Sequence, residues 1–250
     1  MIKEAVKKVL PNGMKHNIHK LSAKIAQSRE ASRNRDKSAR EVFSEIYAKA
    51  KWGGAVGGIN SGSGSYGPAA ELYIHNINRF IQSHAVKSVL DIGCGDFSIG
   101  SRLICDDYTG IDVAQSVVDR NNAEYSSDGR RFACLDAAGP ADLPRAQLCL
   151  IRQVLQHLSN QQVTAILRKF SPFEFVILTE HQPAACDFRS HNRDIVHGSN
   201  TRLAYGSGLY FDKPPFNLKT DLLFEHAGDL TSHNMYDRGL IRSFLVQNSQ

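Results

Sequence analysis

The stretch "SVLDIGCGDFSIG", Ser88 to Gly100, sets an acid, Asp91, and two glycines, Gly93 and Gly95, behind a run of buried-strand character. Glycines at such a point allow a sharp turn out of the strand and close approach of a ligand to the backbone. Open α/β sheets bind ligands at the carboxyl ends of their strands, where the strand order switches. Two more acids end later strands. Asp112 follows about 20 residues on, where a carboxylate grips ribose hydroxyls, and Asp136 closes "FACLDA". The residue after Gly95 is Asp96, whose charge would repel a pyrophosphate but tolerate a cofactor with a positive centre and no phosphate. S-Adenosylmethionine, with a sulfonium, an ammonium and no phosphate, has that charge pattern.

The elements that position these residues alternate. Strands are predicted over Ser88–Asp91, Tyr108–Val113, Arg131–Leu135, Leu148–Arg152 and Phe175–Glu180. Helical stretches fall near Ile99–Cys105, Ala114–Tyr125 and Asn160–Lys169. Alternation of this kind implies a parallel sheet with helices on both faces and right-handed crossovers. The last forty residues or so change character: "TDLLFEHAG" and "RGLIRSFLVQ" read as an antiparallel hairpin closing the sheet. Upstream, "AAELYIHNINRFIQSH" and "SAREVFSEIYAKAKW" read as amphipathic helices, the second with Val42, Phe43, Ile46 and Tyr47 on one face. Between them, Gly53 to Pro68 is dominated by glycine and serine. It reads as a linker, or as a lid whose hinges let Trp52 and Tyr66 close over the site. The expected division is a basic helical arm and Gly/Ser-rich lid over 1–68, followed by an α/β domain over 69–250.

Bulk properties narrow the class. At 250 residues the chain can hold one large α/β domain with an appendage. No apolar run reaches the roughly 20 residues that span a bilayer, and the first residues lack a signal-peptide core. Cys94, Cys105, Cys134, Cys149 and Cys186 are scattered with no C-x-x-C pair, so free thiols are expected and a metal site is not. A cytoplasmic protein is the resulting expectation. The net charge of +5 is uneven: residues 1–40 carry +8 and the remainder −3. Such an arm suits nucleic acid, an anionic surface or an acidic partner, although it has no aromatic residue to stack on bases. The helix 1–50 is expected to break near Pro11–Gly13.

Taken in order, "VLDIGCGDF", "YTGIDV", "FACLDA" and "LIRQVLQHL" resemble the class I S-adenosylmethionine-dependent methyltransferases over about residues 86–182. The resemblance implies that Asp91, Gly93 and Gly95 line the methionine portion, that Asp112 binds the ribose, and that Asp136 meets the adenine. Gln153 and His157 would lie beside the transfer site. Phe97 replaces the common third glycine, and Gln147 the aspartate usual before the fourth strand. "FSEIYAKAKWGG", "SGSGS", "NRDIVHGSNTR" and "PPFNL" resemble a subgroup with "GCGDW/F" after the first strand, over about residues 43–218. That likeness points to bacterial surface-glycan or secondary-metabolite chemistry.

Methyl transfer to a hydroxyl requires alignment, exclusion of water and loss of a proton. His157, after the fourth strand, and His181, within "LTEH" after the fifth, are the candidate bases. Glu180 could hold a substrate or a metal. The long polar segment with Asn192, Arg193, Asp194 and Arg202 is expected to form the acceptor pocket with Trp52, its arginine meeting a phosphate or carboxylate. The function expected is methylation of a small anionic or sugar-type metabolite, O-directed. The alternatives are an RNA or protein methyltransferase gripping through the arm, and a non-catalytic cofactor-binding protein.

Overall fold

A computed structural model describes residues 25–55, 58–228, 231–232 and 235–247. The expected break at Pro11–Gly13 and the lysines up to Lys24 lie outside the described residues, as do Val56 and Gly57 of the glycine-rich segment. Helix α1 is described over 25–34. It is followed by α2 (Ala39–Ala48) and α3 (Pro68–Ser83). Ser38 caps α2 in a reciprocal box: its backbone N–H donates to the Glu41 carboxylate at 2.8 Å and its hydroxyl accepts from Glu41 N. Pro68, in the first turn, starts α3, where its missing N–H has no helical partner to lose.

From there the chain runs β1 (Ser88–Ile92), β2 (Asp107–Asp112), α4 (Gln115–Tyr125), β3 (Arg130–Cys134), β4 (Leu148–Arg152), α5 (Asn160–Leu167) and β5 (Phe175–Gln182). After two short strands, β6 (Ser190–His191) and β7 (Ser207–Gly208), come β8 (Thr220–Ala227), the short helix α6 (Met235–Arg238) and β9 (Leu240–Val246). The seven-stranded sheet has the order β3-β2-β1-β4-β5-β9-β8. β1 to β5 are parallel, and β9 pairs antiparallel with both β5 and β8. The expected α/β fold, with its C-terminal antiparallel hairpin, is therefore present.

Side chains alternate across the sheet as strand geometry requires. Leu90, Ile92 and Ile151 pack with Val42, Phe43 and Ile46 of α2 and with Val163 and Ile166 of α5. Val89, Leu148 and Leu150 pack with Tyr73, Ile77 and Ile81 of α3. Residues before 68 thus contribute to the main core. One expected element differs. Over Ile99–Cys105 only a single 3₁₀ turn, Gly100–Arg102, forms. Phe97 takes a left-handed φ of 63° and buries its ring against Tyr108, Tyr125 and Phe132, which breaks helical phasing directly after the glycine turn.

The strand order reverses between β1 and β4. A crevice therefore opens at their carboxyl ends, where the glycine turn, the β2 terminus and the segment after β4 converge.

Candidate active site

At the end of β1 the amides of Gly93 and Cys94 both donate to Ile111 O, at 2.7 and 3.1 Å, hooking the turn over β2. Gly93 and Gly95 have φ of +74° and +55°, where an L side chain is strained. A Cβ on Gly93 would fall 2.3 Å from the Val154 side chain, and one on Gly95 2.1 Å from Ser61 Oγ. Both glycines are therefore required by what packs on the turn.

The acids beside the turn are buried yet polar-partnered. Asp112 accepts from Ala114 N at 2.9 Å and from Gly95 N at 3.3 Å, while Asp91 accepts from Tyr108 OH at 2.7 Å. Burial pushes each up to about 6, against the pull of those hydrogen bonds. Asp136 Oδ1 caps its own turn through Ala138 N at 2.9 Å.

The glycine–serine segment lies against the turn. Asp96 N donates to Ser61 Oγ at 2.7 Å, and the Asp96 carboxylate accepts from Ser61 N at 3.0 Å and Tyr66 OH at 3.1 Å. Farther along, Arg152 Nη2 donates to Gly64 O at 2.5 Å. Trp52, at the start of this segment, sits edge-on to Tyr47 and 5.2 Å from the His157 ring, centre to centre.

These elements enclose a cleft of about 500 Å³. Asp91, Gly93, Asp112 and Asp136 line it from the first three strand ends. Gln153 and His157 line it after β4, His181 from β5, and Trp52 from the covering segment. Gly95 is not in the wall; it is turned toward Ser61. His157 Nδ1 lies 3.2 Å from Gly198 O, and the backbone of Asn200 also hydrogen-bonds the ring. Burial pulls both His157 and His181 down to about 4, leaving each neutral at pH 7.

Of the polar segment after β5, Ser199 and Thr201 line the cleft, whereas Asn192, Asp194 and Arg202 do not. Arg202 is fully buried and donates to Leu155 O, Leu158 O, Arg193 O and Asn160 Oδ1 at 2.7–3.0 Å. Asn192 is consumed by the 210–214 turn: its amide donates to Tyr210 O and Pro214 O, and its oxygen accepts from Tyr210 N. Asp194 caps α5 through Asn160 N at 2.7 Å. The expectation that Asn192 and Arg202 contact the acceptor is corrected. Backbone groups and the Asn160 side chain, not a ligand, take up the polar atoms of Asn192 and Arg202, while Asp194 is exposed and uses its Oδ1 on Asn160 N and Ile195 N. Glu180 acts in the same structure. It accepts from Leu155 N at 2.8 Å and Gln156 N at 3.2 Å, and burial raises it to about 8. Glu180 and Arg202 thus hold the turn Leu155–His157 from opposite sides.

Sequence reasoning missed Tyr47, Ser61 and Arg152 as cleft residues. Tyr47 lay on an apolar stripe and read as core. Ser61 was one serine in a repetitive run. Arg152 carried a usable signal, a charge ending the apolar run "LCLI". Among the described residues no cluster of three His, Cys, Asp or Glu could hold a metal, and no helix is long and apolar enough to cross a membrane.

No protein-family model and no curated protein sequence matches the chain. Solved structures do. The N-methyltransferase NodS from Bradyrhizobium japonicum WM9 aligns over 74% of this chain and 99% of its own, with a TM-score of 0.50 and 15% identity. Human N-acetylserotonin methyltransferase, solved in complex with SAM, aligns over 85% of this chain and 60% of its own, with a TM-score of 0.50 and 12% identity. The sheet order, the hairpin and these alignments define the fold as that of the class I methyltransferases.

Proposed function

We propose that this chain is an S-adenosylmethionine-dependent methyltransferase of a small hydroxyl-bearing metabolite, of sugar type. One observation carries the cofactor assignment. Asp91, Asp96, Asp112 and Asp136 all line the cleft, and no α-helix starts behind the glycine turn to offer its N-terminus to a phosphate. A wall of carboxylates suits a sulfonium and an ammonium and disfavours a pyrophosphate.

The donor set fits such a molecule. The Asp112 carboxylate accepts from the Ala114, Gly95 and Val113 amides, which leaves lone-pair capacity for a ribose hydroxyl. Asp91 Oδ2 is bonded to Tyr108, which leaves Oδ1 for the methionine end, and Asp136 stands at the third strand end for the adenine. When bound, S-adenosylmethionine supplies an activated methyl carbon and a sulfur that keeps the electron pair of the broken bond. The chain's own residues do the rest. Trp52 and the Ser61–Tyr66 segment cover the cleft and displace water. The neutral imidazole of His157 is the candidate base for the acceptor's hydroxyl proton, with His181 as the second. Support for a small acceptor comes from the covering segment, pinned through Asp96 and Arg152 on both sides of the cleft.

Titration calorimetry with S-adenosylhomocysteine and with NAD tests the reading. Binding of the former and none of the latter is expected. Tight NAD binding without S-adenosylhomocysteine binding overturns it.

A further inference from the structure

Two arginines lie near the cleft, Arg202 fully buried and Arg152 half-buried, and their surroundings differ. Arg202 uses three nitrogens on four acceptors. Arg152, the last residue of β4, lines the cleft itself. Its Nη2 donates to Gly64 O, and its guanidinium carbon stands 5.0 Å from the centre of the Tyr73 ring. Its Nε is buried with no hydrogen-bond partner. Among the described residues no carboxylate lies within the 4.0 Å of an ion pair with it. The acids that do act on it from farther away, Asp91 and Glu180, are engaged by Tyr108 and by the Leu155 and Gln156 amides. Burial lowers its pKa from the ordinary value, which marks a charge poorly offset by its surroundings.

A buried charge is tolerated where an opposite charge and filled hydrogen bonds offset it. Arg152 has one acceptor, an aromatic face and several N–H groups to spare in a planar fork that matches a carboxylate. A phosphate dianion fits less well, because Asp91 and Glu180 lie near enough to repel a second negative charge.

We infer that Arg152 forms a carboxylate-binding subsite of the cleft, with the Tyr73 ring on one side and the Gly64 carbonyl fixing the guanidinium. The carboxylate has two possible sources, the amino-acid end of S-adenosylmethionine or the methyl acceptor. The first rests on the cofactor reading above and the second does not require it.

The experiment compares ligands that differ only in this group. By calorimetry, the wild type is titrated with S-adenosylhomocysteine and with its decarboxylated analogue. Propionate and its neutral isostere propionamide are titrated against the quenching of Trp52, the single tryptophan, with and without S-adenosylhomocysteine. If the cofactor supplies the carboxylate, the wild type prefers S-adenosylhomocysteine over the decarboxylated form by about 10–100-fold, and Arg152→Met loses that preference. If the acceptor supplies it, Arg152→Met keeps the cofactor preference, whereas propionate binding, selective over propionamide in the wild type, is lost. The inference is overturned if the wild type discriminates neither pair, or if Arg152→Met retains every discrimination the wild type shows. Should the wild type bind no S-adenosylhomocysteine, the methyltransferase reading fails, and the propionate pair on the unliganded protein still decides the subsite. The wild-type comparisons need no variant. Arg152→Lys, which keeps the charge but not the fork, stands in if the methionine variant does not fold.

Discussion

The two polar regions around the crevice are finished differently. At the glycine turn, Asp91 and Asp112 are buried but only partly satisfied, with lone pairs open to the cleft. In the segment after β5, the polar atoms of Asn192 and Arg202 are taken up by Asn160, the Leu155–Leu158 turn, Arg193 and the 210–214 turn. Both regions are rich in polar side chains. What separates a ligand site from a structural clasp is the number of donors and acceptors left over after the protein has satisfied its own. Arg152 and Arg202 state the same contrast within one residue type.

The largest test of this contrast is stability. Arg202→Met removes the guanidinium donors to Leu155 O, Leu158 O, Arg193 O and Asn160 Oδ1, of which Leu155 O keeps another donor, Leu158 N at 3.1 Å, and it removes a cation acting on Glu180. A loss of about 3–5 kcal/mol in urea unfolding is expected, a large share of a typical domain's stability. Arg152→Met, by contrast, should change unfolding by no more than about 1 kcal/mol, since it removes a charge with little compensation. Equal losses in the two variants would erase the distinction.

Ligand affinity gives the reverse pattern. Asp112→Ala should weaken S-adenosylhomocysteine binding by at least one charge-assisted hydrogen bond, about 1.5–3 kcal/mol or roughly 10–150-fold. Its melting temperature should move less than that of Arg202→Met. Unchanged affinity would remove Asp112 from the ribose site.

The smallest effect is a pH slope. Glu180 is raised to about 8 in the folded chain, so the folded state holds a proton that the unfolded state has released. That contribution is complete below the ordinary carboxylate range and is lost as pH rises through 8. His157 and His181, lowered to about 4, act in the opposite sense, but over the acid range below their unfolded pKa. Between pH 7 and 8 the wild type should therefore lose up to about 1.4 kcal/mol, and Glu180→Gln should lose little. Parallel slopes for the two proteins in urea titrations would show that Glu180 stays charged in the fold.

The elements were legible because their signals are local. "SVLDI", "LCLI" and "FVILTE" are runs of strand formers, and the period of Val42, Phe43, Ile46 and Tyr47 marks a helical face. Cleft positions were readable wherever topology alone places a residue, as at the ends of β1, β2, β4 and β5. The helix expected near Ile99 failed because a left-handed Phe97 with an aromatic pocket for its ring is a tertiary fact. Arg202 failed for the same reason at longer range: three of its four acceptors lie more than forty positions earlier. Nothing in "NRDIVHGSNTR" shows that the open carbonyls of another turn await it.

One contact bears on how the chain is made. Glu30 of α1 accepts hydrogen bonds from Ser199 Oγ at 2.8 Å and Asn200 Nδ2 at 2.6 Å, across 169 and 170 positions. During synthesis at about 5–20 residues per second, α1 leaves the ribosome on the order of 10–30 s before its partner exists. Over most of that time the apolar face of α2, next in the chain, also lacks the strands that later cover it. The first helices must therefore wait, and a nascent chain stalled before β1, at residue 88, would present Val42, Phe43 and Ile46 to chaperones rather than to a finished core.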